Sequence, residues 1–131
     1  MVAELHYQDK RKIENVIEEI AYSRVKRFYP TIVSKATDLP LNTVFEYLLK
    51  LTLDGRLKLE WEIRCDDYEC NSLILRTDDI DQFIGQYVEC ECEREILINE
   101  NIIFPVFSIS GHYRQDIRES KKKSPSLLKA L

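Results

Sequence analysis

TIVSKATDLPLNTVFEYLLKLTLDGRLKLEWEI, residues 31–63, carries three structural patterns end to end. Thr31 can cap a short helix that turns Ile32, Val33 and Ala36 inward. TDLP (37–40) then breaks the chain with a turn. From Leu41 to Leu53 apolar residues recur at helical spacing, with Val44, Phe45, Leu48 and Leu49 inside and Leu51 at the margin. Asp54-Gly55 ends that helix, the glycine supplying a left-handed cap. RLKLEWEIR (56–64) alternates strictly, with Leu57, Leu59, Trp61 and Ile63 on one face and Lys58, Glu60, Glu62 and Arg64 on the other. That is the period of a half-buried strand.

Upstream, Ile13, Val16, Ile17, Ile20 and Ala21 form one apolar stripe, which predicts a helix from Gln8 to Phe28. Tyr29-Pro30 stops it, because the residue before a proline is pushed out of the helical region. Downstream, Cys65 follows the strand directly. The four cysteines fall as C-x4-C (Cys65, Cys70), nineteen residues, then C-x-C (Cys90, Cys92). Two chelating pairs at that separation suit a closed tetrahedral zinc site of four thiolates, structural because no coordination position is left open. A ribbon that keeps its fold without metal, and four thiols with no joint role, are the other readings of the same spacing. Neither pair has a glycine behind its second thiol to ease the turn. SLILR (72–76) and a segment ending at Val88 read as strands around TDDIDQFI (77–84), a turn capped by Thr77. EILIN (95–99) and PVFSIS (105–110) follow as two more.

Helix, short helix, turn, helix and glycine-bounded strand is the order of a winged helix-turn-helix, and residues 31–63 resemble that family of bacterial and archaeal domains. The resemblance implies that the third helix and wing could meet DNA through Asn42, Thr43, Tyr47, Lys50, Arg56 and Lys58. A winged helix followed at once by a cysteine ribbon is similar to the general transcription factor E family. From Thr31 to Tyr113 the chain also resembles small bacterial winged-helix/ribbon proteins of multi-component anti-phage and conflict systems, through WEIRC, the two cysteine pairs and FPVFSIS. Both resemblances imply non-catalytic assembly. The expected class is therefore α+β: a winged helix-turn-helix over 1–64, a β-rich zinc-ribbon-like unit over 65–112 and a basic tail over 113–131.

Charge separates the partners. Residues 65–112 hold eleven acidic side chains against Arg76 and Arg94 alone, and such a segment repels a phosphate backbone. Glu89, Glu91 and Glu93 are read as a docking surface for a basic protein partner, an acidic solvated surface being the other reading. The tail, with Lys121 to Lys123 ahead of Leu127, Leu128 and Leu131, reads as a disordered or loosely helical peptide able to dock on a partner or a second copy, a solubilising end being the other reading. No run approaches the ~20 apolar residues of a membrane span, and MVAELHYQDKRK lacks a secretory stretch. A cytoplasmic chain is expected. The only histidines are His6 and His112, and no P-loop, dinucleotide fingerprint or HExxH is present. The expectation is an adaptor with no catalytic residues and no small-molecule substrate, a DNA-binding regulator being the alternative.

Overall fold

In the computed structural model, which describes residues 5–130 and the side chains of residues 5–121, the chain is α+β. The elements run α1 (Tyr7–Tyr22), β1 (Arg27–Phe28), α2 (Pro30–Thr37), α3 (Leu41–Leu53), β2 (Leu57–Arg64) and β3 (Leu73–Thr77). They continue with β4 (Tyr87–Glu89), β5 (Glu95–Leu97), β6 (Ile103–Ile109) and α4 (Gly111–Ala130). Among the described residues one sheet has the order β1-β6-β2-β3, and β4 and β5 form a second. The chain divides into two units, Met1–Lys58 with Phe107–Leu131, and Leu59–Val106. No described helix is long and apolar enough to cross a membrane.

In the first unit, α1 buries Ile13, Ile17 and Ala21, as its stripe predicts. It ends at Ser23, well short of the expected Phe28. The Ser23 hydroxyl donates to the Ile20 carbonyl at 2.6 Å, and its N–H donates to the carbonyls of Glu19 and Ile20. Closing the helix there frees Arg27 and Phe28 to pair with β6, Phe28 opposite Phe107. A two-residue strand has no period for a sequence to display. In α2 the first helical residue is Pro30, with no side-chain cap from Tyr29. Its buried face is Pro30, Val33 and Thr37, and Ile32 and Ala36, expected inside, are exposed. Thr37 tolerates burial because its hydroxyl donates to the Val33 carbonyl at 2.7 Å.

The third helix buries Val44, Leu48 and Leu51, and Gly55 supplies the left-handed turn at φ 89°. The Phe107 ring lies between Phe28, stacked at 5.9 Å, and the edge of Phe45 at 5.8 Å. α1 packs against α2 and α4, and α2 against α3. The tail takes the helical alternative, starting at Gly111. The Arg114 guanidinium donates to the carbonyls of Ala21, Ser23 and Val25, and Arg118 donates to Ser23. Two arginines one turn apart thus satisfy carbonyls that the end of α1 leaves open.

In the second unit, β2 pairs antiparallel with β3, Glu62 opposite Arg76 and Ile63 opposite Leu75. β4 pairs with β5, Tyr87 opposite Leu97 and Glu89 opposite Glu95. Ile63, Ile96, Ile98 and Ile102 form a small core that includes Cys65 and Cys90. One strand face departs from the alternation. Glu62, expected in solvent, is only 2% exposed. One of its oxygens accepts from Arg64 at 3.2 Å, and the other accepts from Nη2 and Nε of Arg76 at 2.8 and 3.2 Å. Its cross-strand partner and its i+2 neighbour supply the counter-charge that a buried carboxylate needs.

Candidate metal centre

Cys65 lies just past the end of β2 and Cys70 on the loop before β3, while Cys90 and Cys92 sit at the β4–β5 turn. The first loop is closed by the Cys65 N–H donating to Ser72 O at 3.0 Å and the Asn71 N–H donating to Asp67 O at 2.8 Å. The second is closed by the Cys90 N–H to Arg94 O at 2.9 Å and the Glu93 N–H to Cys90 O at 2.8 Å. The residue behind the second thiol of each pair is left-handed: Asn71 at φ 43° and Glu93 at φ 71°. The turn geometry that a glycine usually supplies is therefore present without the glycine. Arg94 reaches from the second loop to Asp66 at 3.0 Å and Asp67 at 3.7 Å in the first.

All four sulfurs lie within 4.8 Å of one another. Cys65 and Cys92 are 3.7 Å apart and Cys70 and Cys90 3.6 Å. A tetrahedral zinc with Zn–S bonds of about 2.3 Å separates its sulfurs by about 3.8 Å, so the donor set fits such an ion. All four cysteines are free thiols and could hold a metal ion together. The Ser72 hydroxyl lies 3.2 Å from Sγ of Cys70 and 3.3 Å from Sγ of Cys90. Sequence reading missed Ser72, since one serine inside SLILR carries no signal of its own.

The thiols are not equivalent. The Cys92 backbone N–H, followed by the Ser72 hydroxyl, pulls the Cys90 thiol down to about 6. Burial pushes the Cys65 thiol up to about 12. A cluster without a cation concentrates its first charge on Cys90, where donors converge, and leaves Cys65 protonated. Four thiolates at these distances require a dication, which deprotonates coordinating thiols outright.

Of the residues the winged-helix resemblance implies for DNA, Asn42, Lys50 and Lys58 are exposed and Thr43 is half-buried. Tyr47 and Arg56 join an internal network. The Tyr47 hydroxyl donates to Glu14 at 2.6 Å, and burial followed by that bond raises the phenol to about 12. Arg56 pairs with Asp54 at 3.1 Å and Glu14 at 3.7 Å, its guanidinium 6.0 Å from the Tyr113 ring centre. Glu89, Glu91 and Glu93 are exposed around the β4–β5 turn. The side chains of Leu127 and Leu128, and all of Leu131, lie outside the described residues. His112 is exposed in the first turn of α4. Compared with protein-family models, with curated proteins and with solved structures, the chain matches none.

Proposed function

We propose that this chain is a non-enzymatic adaptor of a larger bacterial assembly, a winged helix-turn-helix joined to a zinc-ribbon-like unit. Cys65, Cys70, Cys90 and Cys92 hold one structural zinc ion. When bound, the ion supplies folding energy to a unit whose own core is a handful of isoleucines. A four-thiolate shell leaves no position for substrate. The resemblance to conflict-system proteins supports the bacterial, anti-phage setting, and neighbouring genes are the check on it.

The observation that carries the adaptor reading is the outer face of the β4–β5 hairpin. Tyr87 and Leu97 lie opposite each other at 63% and 41% exposure, beside the opposed pair Glu89 and Glu95. Like charges directly opposite are unfavourable. The basic side chains of residues 59–106 are Arg64, Arg76 and Arg94, and they are engaged with Glu62, Asp66 and Asp67. A basic protein surface with an apolar centre suits this face.

The regulator reading draws on Asn42 and Lys50, exposed along α3. With Tyr47 and Arg56 engaged internally, α3 and the following turn offer Lys50 against about one phosphate, for a log–log salt slope near −1. Duplex DNA titrated at several salt concentrations separates the readings. The adaptor expectation is weak binding, Kd of about 10⁻⁴ to 10⁻⁶ M. Submicromolar binding with a slope of about −5 or steeper overturns it. Native mass spectrometry is expected to show one zinc per chain, lost on chelation, and a zinc-free native mass overturns the metal.

A further inference from the structure

Access divides the four sulfurs. Cys65 and Cys90 are 5% and 4% exposed, Cys70 is half-buried, and Cys92 is exposed. In a metal-bound set all four are thiolates, so ionisation does not choose among them and accessibility does. The Cys92 sulfur lies 3.7 Å from that of Cys65, across on the other loop. Cys70 and Cys90 form the second cross-loop pair at 3.6 Å. We propose that Cys92 is a modification site for small neutral peroxides, with Cys65 as the thiol that resolves it. This rests on the zinc reading above.

The chemistry balances with hydrogen peroxide as the oxidant. The Cys92 thiolate attacks one peroxide oxygen, the O–O bond breaks and hydroxide leaves, giving a sulfenic acid at Cys92. The Cys65 thiolate then attacks the Cys92 sulfur, an S–S bond forms, and the S–O bond breaks to release a second hydroxide. Two thiolates and one hydrogen peroxide become one disulfide and two hydroxides, the sulfurs giving up the two electrons that the peroxide takes. The site is then two donors short, so zinc leaves. Glu91 and Glu93 flank Cys92 in sequence and are exposed. They select the reagent: a neutral peroxide approaches without penalty, while an anionic disulfide is repelled.

The test treats the zinc-loaded full chain with one equivalent of hydrogen peroxide. Released zinc is followed with a chromogenic chelator, and disulfides by tandem mass spectrometry of tryptic peptides 65–76 and 77–94, fragmented between the paired cysteines. Zinc release in step with a Cys65–Cys92 bond is expected, with oxidised glutathione at the same concentration about tenfold slower or worse. Cys92→His keeps four donors but removes the accessible thiolate, and should slow peroxide-driven release about tenfold. A first bond linking Cys90 to Cys92, or Cys65 to Cys70, overturns the proposal, as does wild-type release from Cys92→His. If that variant fails to fold, the bond map of the wild-type chain decides. A zinc-bearing chain that oxidises elsewhere defeats this proposal alone, while a chain isolated without zinc defeats the metal reading as well.

Discussion

Glu93→Gly tests whether the second cysteine loop stores backbone strain. Glu93 sits at φ 71° immediately behind Cys92, and its N–H closes the turn onto Cys90 O at 2.8 Å. A side chain in the left-handed region costs about 1–2 kcal/mol, because Cβ crowds the following carbonyl. Glycine removes that crowding but gives back about 0.4–1 kcal/mol through the freer unfolded chain. The net gain is about 0.5–1 kcal/mol. If it falls on the metal-bound loop, zinc affinity rises about two- to fivefold. Charge is the confounder, since the substitution also removes a carboxylate beside the thiols. Glu91→Gly removes a carboxylate from the same turn at a position that is not left-handed. It should therefore lose about 0.4–1 kcal/mol. Thermal melts and a competitive chelator titration on both variants separate strain from charge. Opposite signs are expected, and shifts of the same sign and size in both would refute the strain argument. Asn71→Gly, at φ 43°, should gain less, because asparagine tolerates this region.

The remaining expectations concern both units. Glu62→Ala should destabilise by about 2–4 kcal/mol in urea, somewhat below the fully buried value because both arginines are 28% exposed, and a loss under about 1 kcal/mol would contradict the buried clamp. Tyr47 should ionise near pH 12 in an ultraviolet titration. The phenol is raised in the folded state, so its contribution is fully present below pH 10 and is lost as pH climbs towards 12. Tyr47→Phe should flatten that segment of the stability profile, and an unchanged profile would exclude the Glu14 bond as its source. Chelation should speed hydrogen exchange at the Cys65 and Cys90 amides, whose acceptors are the carbonyls of Ser72 and Arg94. Exchange unaffected by chelator would mean that the loops hold their shape without metal.

The parts legible in the sequence are those with a period. The α1 stripe, the Val44–Leu48 spacing, the Gly55 stop and the strand order around the cysteines could each be read from residue type alone. The paired spacing of Cys65, Cys70, Cys90 and Cys92 announced a cluster, and all four sulfurs do come within 4.8 Å. What escaped was everything set by a partner distant in sequence. Helix α1 ends early because Ser23 closes it and Arg114, about ninety residues on, takes up its carbonyls. Glu62 turns inward because Arg76 arrives opposite it in register. Asp66 and Asp67, two of the eleven acidic side chains of residues 65–112, are drawn to Arg94 across the two loops. Tyr47 and Arg56 look available in a linear reading, and only the fold brings Glu14 to them.

Two local rules are broken at the same turn, and their coincidence supports a surface kept for binding. Glu93 holds a left-handed position where glycine would relieve the loop, and Glu89 stands directly opposite Glu95 where an opposite charge would be favourable. Either alone could be neutral drift of an exposed site. Together they place negative charge around Cys92 against backbone preference in one case and cross-strand preference in the other. A bound metal would gain nothing from this, since four thiolates around a dication would already carry a formal charge of about −2. A local conflict that would stabilise neither the loop nor a bound metal is expected where function outweighs stability. On the adaptor proposal, the carboxylates that weaken the turn as structure are the ones a partner would meet beside Tyr87, Leu97 and Cys92.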